Sequence, residues 1–196
     1  MEHTKSTLPE QYFNDVYRAN DDPWQFESSP YERAKYEATL AALPNARYQS
    51  AYEIGCSIGI LSALLAERCD KLLAVDASTL PLKAARERLD RYPHVTVAQQ
   101  YVPAQFSDDL FELILLSEVG YYLSLPDLHR LRQRVLDQLL PKGHLLLVHW
   151  TPFVPDYPLT GDQVHEEFMA LAGTGQLTHL LNQRTDNYRL DLFQKP

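Results

Sequence analysis

The sequence predicts an α/β fold: a three-layer sandwich around a seven-stranded sheet, parallel except for an antiparallel C-terminal hairpin strand. Three observations predict it. Short apolar runs alternate with amphipathic stretches over residues 45–150, the pattern of a parallel sheet whose strands are joined by helices. A stretch of small residues, Gly55-Cys-Ser-Ile-Gly59, separates the first such run from the helix after it. The tail carries two further runs joined only by Thr185-Asp-Asn187, a link short enough for an antiparallel pair alone.

Taken in order, the first helix is announced by Ser29-Pro30-Tyr31-Glu32, with an N-cap serine, proline at the first helical position and glutamate three residues after the cap. It ends before Pro44. Strand one is expected at Ser50–Ile54 and the next helix at Ile60–Arg68. Strand two, Lys71–Val75, is closed by Asp76, and Pro81 opens a helix through Arg91. Strands three and four fall at Val95–Gln99 and Phe111–Leu116. A helix over Pro126–Leu140 places Leu128, Leu131, Val135 and Leu139 on one face. Pro141-Lys-Gly143 then turns into strand five, His144–His149. A helix over Gln163–Ala172 precedes the hairpin of Leu177–Gln183 and Tyr188–Phe193. Two segments break the alternation: residues 8–31, rich in aromatic and acidic side chains, and residues 150–162, with three prolines.

A chain of 196 residues fits one domain that needs no metal or disulfide to hold a core. Its 45% hydrophobic and 22% charged residues exclude a mostly disordered chain, a fibrous repeat and a bare coiled coil. A net charge of −8 disfavours phosphate backbones and anionic bilayers as partners, so neither nucleic acid nor membrane is expected. Cys56 and Cys69 form no C-x-x-C pair, no histidine cluster has zinc-ligand spacing, and no metal is expected. The residues Met1-Glu-His-Thr-Lys-Ser6 lack an apolar core of a secretory signal, and the chain is expected to be cytoplasmic.

The chemistry starts at Glu53-Ile-Gly-Cys-Ser-Ile-Gly59. Gly55, Ser57 and Gly59 let a ligand approach the backbone closely, at a helix start whose free N–H groups favour an anionic group. The dinucleotide fingerprint G-x-G-x-x-G fails here, because Ser57 and Ile60 stand where glycines are needed. Glu53 is out of place beside a pyrophosphate and suits an amino group. Asp76 lies 21 residues after Gly55, where an acid accepts hydrogen bonds from ribose hydroxyls. An adenosine ribose, an amino-acid tail and no phosphate describe S-adenosyl-L-methionine, whose demethylated product is S-adenosyl-L-homocysteine.

Glu53-x-Gly-x-x-x-Gly59, Asp76, Ser117-Glu-Val119 and Leu140-Pro-Lys-Gly143 resemble class I S-adenosylmethionine-dependent methyltransferases, which implies a Rossmann-like core. More narrowly, Tyr12-Phe, Asp22-Pro-Trp24, Ser29-x-Tyr-Glu-x-x-Lys35-Tyr and Ser-Glu-Val-x-Tyr-Tyr122 are similar to the rhizobial nodulation protein S family, whose members methylate the free amino group of a deacetylated chitooligosaccharide. The resemblance implies that Gly55 and Gly59 cradle the methionine moiety, that Asp76 holds the ribose, and that Tyr12, Glu53, Ser57 and Ser117 belong to the cofactor site. The acid that many such enzymes place after strand three is missing from Ala98-Gln-Gln-Tyr-Val102, so Tyr101 or Gln100, or backbone, must read the adenine. Residues 1–44 then form a helical cap, 45–150 the cofactor-binding core, 151–175 a substrate lid with its helix and 176–196 the hairpin, all in one domain 1–196.

Trp24 and Arg33 precede the core. A sulfonium cation suits an aromatic face and a carboxylate suits a guanidinium fork. Equally, Trp24 reads as packing of the first helix and Arg33 as a solvated helix charge. For the chemistry, an ammonium must lose its proton before its nitrogen can attack a methyl group. Glu118, after strand four, and His149, at the end of strand five, are the candidate acceptors. His149 also reads as a packed strand-end histidine, and Glu118 as a cofactor-orienting group. His165 and Asp156 lie in or near the lid, and Tyr121-Tyr122 suit either a sugar face or the core. His129 and His144 read as surface residues. The reading is N-methylation of an amino sugar, oligosaccharide or other small amine by a monomer or weak homodimer. O-methylation of a small molecule, a non-catalytic binding protein and a dinucleotide-dependent oxidoreductase are the alternatives. A nucleic-acid amine methyltransferase would carry Asn/Asp-Pro-Pro-Tyr/Phe where Ser117-Glu-Val-Gly120 stands.

Overall fold

The computed structural model describes residues 5–196. Its contacts cluster in two compact units: Pro9–Tyr101, and Val102–Pro196 together with the stretch through Leu8. Seven strands flanked by helices are found among the described residues, three in the first unit and four in the second.

In Pro9–Tyr101 the elements are α1 (Glu10–Ala19), α2 (Pro30–Ala41), β1 (Ala51–Ile54), α3 (Ile60–Ala66), β2 (Leu72–Asp76), α4 (Thr79–Leu89) and β3 (Val95–Gln99). Strands β1, β2 and β3 are parallel, with Ala51 opposite Leu72 and Leu72 opposite Val95. Every residue of β1 is buried, as a strand covered on both faces must be. The Ser29 hydroxyl accepts from the Glu32 amide, with Pro30 opening the helix as expected. Helix α4 starts two residues earlier than Pro81 suggests, because Ser78 caps it by accepting from the Leu80 amide. Helix α1 carries no capping side chain, which hid it in the sequence. It forms because its Tyr17 face is buried.

In Val102–Pro196 the elements are β4 (Phe111–Ser117), a 3₁₀ turn (Gly120–Tyr122), α5 (Leu125–Gln138), β5 (Leu139–Trp150), α6 (Gly161–Gly173), β6 (Thr178–Arg184) and β7 (Tyr188–Gln194). Strands β4 and β5 are parallel; β7 runs antiparallel to both β5 and β6, giving the expected hairpin. The expected Pro141-Lys-Gly143 turn lies inside β5. Leu139 already pairs with Phe111 and His144 with Leu113, so the three residues loop out of register, with Lys142 left-handed at φ 64°. Thr160 and Gln163 form a full capping box on α6. His144, expected at the surface, is buried beside Gln194, and burial lowers its pKa.

Candidate functional site

In Pro9–Tyr101 the turn between β1 and α3 is built on left-handed backbone. Gly55 has φ 94°, Ser57 φ 48° and Gly59 φ 80°. A Cβ on Gly59 would stand 3.1 Å from the Ala85 Cα of α4, so glycine serves both the conformation and the close approach. The Ser57 amide donates to Asp76 Oδ2 and the Ser78 amide to Oδ1, both at 3.0 Å. Asp76 is therefore aimed at the turn from the end of β2. Burial raises it to about 6 despite these amides.

Glu53 is 1% exposed, and its Oε2 is buried with no hydrogen-bond partner. Burial raises it to about 7, opposed by the neighbouring Ser62 hydroxyl and assisted by the Asp76 charge. A buried carboxylate oxygen left unpaired under a turn whose Gly55, Cys56, Ser57 and Gly59 amides already donate within the protein fits a cationic amino group such as that of S-adenosylmethionine. It does not fit a diphosphate. Cys56, in the same turn, is a buried free thiol that burial pushes up.

The N-terminal aromatics divide. Tyr17 is buried, and its hydroxyl meets the Ser57 hydroxyl at 2.6 Å. Trp24 is half-buried, edge-on to Tyr17 at 5.7 Å and stacked on Phe26 at 5.5 Å. Tyr12 is half-buried on α1 beside Phe13. Arg33 projects from α2, 84% exposed, 3.9 Å from Glu37. At the end of β3, Gln100 accepts from the Tyr52 hydroxyl and its amide bonds the Asp76 carbonyl, while Tyr101 is half-buried. Tyr17 was missed by the sequence reading. Its burial shows only in the fold, because it lies on a helix that no capping side chain announces.

In Val102–Pro196, Ser117 ends β4, buried, in register with Val148. Glu118 follows with φ 58°, a left-handed non-glycine that costs on the order of 1–3 kcal/mol unless its surroundings fix it. They do. Its amide donates to the Val148 carbonyl, and its Oε2 accepts from the Tyr121 hydroxyl at 2.6 Å and the Trp150 amide at 2.9 Å. Tyr121 stacks on Tyr157 at 4.9 Å, and Tyr122 meets Tyr157 edge-on at 4.8 Å. Tyr157 comes from the proline-rich segment, which Leu159 ties back by donating its amide to the Tyr121 carbonyl. His149 is fully buried; its Nε2 accepts from the Gly120 amide at 3.1 Å and its Nδ1 faces His165 Nε2 at 3.1 Å. With that lone pair committed to Gly120, His149 Nε2 has none left with which to take a proton.

Among the described residues no group of His, Cys, Asp and Glu could hold a metal ion, and no helix is long and apolar enough to cross a membrane.

Three comparisons bear on this geometry. Nodulation protein S of Rhizobium tropici is 33% identical over 132 residues, 65% of this chain and 55% of the relative, so the chain spans little more than half that relative's length. A crystal structure of a candidate methyltransferase from Pseudomonas syringae is 42% identical with TM-score 0.72, covering 84% of this chain and 99% of its own. The structure of the N-methyltransferase NodS from Bradyrhizobium japonicum WM9 in complex with S-adenosyl-L-homocysteine superposes with TM-score 0.83 at 24% identity, over 95% of this chain and 98% of its own, and shows the same fold. Since the family model for nodulation protein S matches residues 13–148, more than half of the sequence, the chain belongs to the nodulation protein S family.

Proposed function

We propose that this protein is an S-adenosylmethionine-dependent N-methyltransferase acting on an amino sugar, a short oligosaccharide bearing a free amine, or another small amine. The observation that carries the reading is the buried Glu53 carboxylate with its unpaired Oε2 under the left-handed Gly55–Gly59 turn. The relatives' names support the same reading: a nodulation protein S and an N-methyltransferase holding S-adenosyl-L-homocysteine.

In this reading the Gly55 and Gly59 backbone accommodates the amino-acid tail, and Glu53 takes its amino group. Asp76 accepts from the ribose hydroxyls. Trp24 offers an indole face to the cation, worth about 0.5–2 kcal/mol. Arg33 binds the carboxylate by exchanging its long contact with Glu37. Tyr12, Tyr101 and Gln100 flank the adenine. The cofactor, when bound, supplies a methyl group on a good leaving group, so the chain's task is orientation of an in-line displacement. Glu118 removes the proton from the acceptor's ammonium, freeing the nitrogen lone pair that forms the new N–C bond. Tyr157, half-buried and backed by the buried Tyr121 on which it stacks, offers a sugar ring an aromatic surface.

Calorimetry should show S-adenosylmethionine binding without NADH binding, and labelled cofactor should transfer methyl to glucosamine or deacetylated chitooligosaccharides. Binding of NADH, or failure to bind S-adenosylmethionine, would overturn the proposal.

A further inference from the structure

The loop that carries Glu118 is held from behind by a chain of buried polar side chains. We infer that His165 and Asp191 are positioning residues: with His149 they form a tautomer-locked chain whose far end grips the Gly120 amide and so fixes the Glu118–Tyr121 turn. The inference rests on the role given above to Glu118.

The direction of every bond in the chain follows from its first link. A backbone N–H can only donate, so His149 Nε2 must present a lone pair to Gly120 at 3.1 Å. Neutral His149 then carries its hydrogen on Nδ1, which donates to His165 Nε2 at 3.1 Å. That nitrogen must in turn be bare, which leaves the His165 hydrogen on Nδ1, donating to Asp191 Oδ2 at 2.6 Å. All three side chains are fully buried, and the two rings stand at 89°. Protonating either imidazole would set two N–H groups face to face, and burial already lowers His165. With no lone pair left over, the chain does not exchange protons with an acceptor. It acts as a strut.

Its anchor is a carboxylate that stays ionised. Besides His165, Asp191 accepts from Arg189 Nε at 2.6 Å, His179 Nε2 at 2.7 Å and Asn182 Nδ2 at 2.8 Å. Burial opposes its charge, but the bonds from His165 and Asn182 and the nearby Arg189 hold it well below the ordinary carboxylate range. Arg189 continues to Glu166 at 2.6 Å and Asp162 at 3.6 Å on α6. The chain therefore ties β5, α6 and β7 to one amide. That amide can be reached only because residue 120 is glycine: a Cβ there would lie 2.5 Å from Val164 Cγ1 and 3.0 Å from His149 Nε2. Two residues before it, Glu118 sits in a left-handed conformation that needs outside support.

The experiment uses wild type, His165→Gln and Asp191→Asn in the full chain. Ring ¹⁵N shifts in wild type should place the hydrogen on Nδ1 of both His149 and His165 near neutral pH, and the Gly120 amide proton should shift in both variants. In both, kcat for the amine acceptor should fall about 10- to 100-fold through misplacement of Glu118, while S-adenosylhomocysteine affinity stays that of wild type. A hydrogen on His149 Nε2, or a folded variant with wild-type kcat and an unmoved Gly120 amide, overturns the inference. If wild type methylates no amine, the functional reading falls instead, and the ring shifts and the Gly120 amide still decide whether the strut exists.

Discussion

The Tyr17 hydroxyl and the Ser57 hydroxyl stand 2.6 Å apart, joining α1 to the middle of the turn between β1 and α3. Ser57 is also left-handed there, at φ 48°. Two effects therefore compete at this residue, and two variants separate them. Ser57→Ala and Ser57→Gly both strand the buried Tyr17 hydroxyl, at about 1–3 kcal/mol. Only Ala keeps a Cβ in the left-handed region, so it should be the less stable of the two by about 1 kcal/mol. Urea unfolding measures the difference; equal stabilities would mean that residue 57 is unstrained.

The two carboxylates of the turn should make the ligand-free protein weaker as pH rises. Burial raises Glu53 from 4.5 to about 7 and Asp76 from 3.8 to about 6. A group whose folded pKa lies above its unfolded one stabilises the fold below the unfolded value and loses that contribution as pH climbs through the folded value. Ligand-free stability should thus decline between about pH 4 and 7, and Glu53→Gln should remove on the order of 3 kcal/mol of that decline. Binding has the opposite sign, because ribose hydroxyls and an ammonium need ionised partners. S-adenosylmethionine affinity should fall as pH drops through about 7 and further below about 6, as Glu53 and then Asp76 take up protons, and Asp76→Ala should cost about 1–3 kcal/mol of it at neutral pH. Calorimetry across pH checks both, and a flat affinity profile would remove Asp76 from the ribose.

Glu118→Gln keeps an oxygen to accept from the Tyr121 hydroxyl and the Trp150 amide, so the turn should survive. What it loses is the ability to take a proton, and kcat on an amine should fall by about 100-fold or more with cofactor affinity intact. Wild-type turnover in a folded Glu118→Gln protein would show that the ammonium loses its proton elsewhere.

What was legible in the sequence was whatever rests on local chemistry. Ser29-Pro30 announced α2, the small residues at 55, 57 and 59 announced the turn, and the three-residue link at 185–187 announced the antiparallel hairpin. What was not legible depends on packing. Helix α1 has no capping side chain and is held by the burial of Tyr17. Pro141-Lys-Gly143 spells a turn locally and does loop out of register, but pairing resumes on both sides of it, because Leu139 reaches Phe111 before the loop and His144 reaches Leu113 after it. His149 and His165 are 16 residues apart on a strand and a helix, and Asp191 comes 26 residues later. No spacing rule joins three such positions; only the sheet register and the seat of α6 do. His144 looked like a surface residue for the same reason: its partner, Gln194, is brought to it by β7.

Gly59 and Gly175 offer a controlled pair for the last term, steric approach. Both are left-handed, at φ 80° and 78°. Alanine at either position carries the same conformational penalty, about 1–2 kcal/mol. Around Gly175 nothing lies within 4 Å of the added Cβ, so that penalty is the whole effect. At Gly59 the Cβ would also press on α4, 3.1 Å from the Ala85 Cα and 3.2 Å from its Cβ, and backbone cannot yield as a side-chain tip can. Gly59→Ala should therefore be the more destabilising by a further 1–3 kcal/mol or so, with S-adenosylmethionine binding lost alongside stability, whereas Gly175→Ala should leave binding untouched. Equal losses from the two substitutions, measured by thermal unfolding and calorimetry on the same preparations, would mean that the α3–α4 contact opens freely and that conformation alone accounts for glycine at 59.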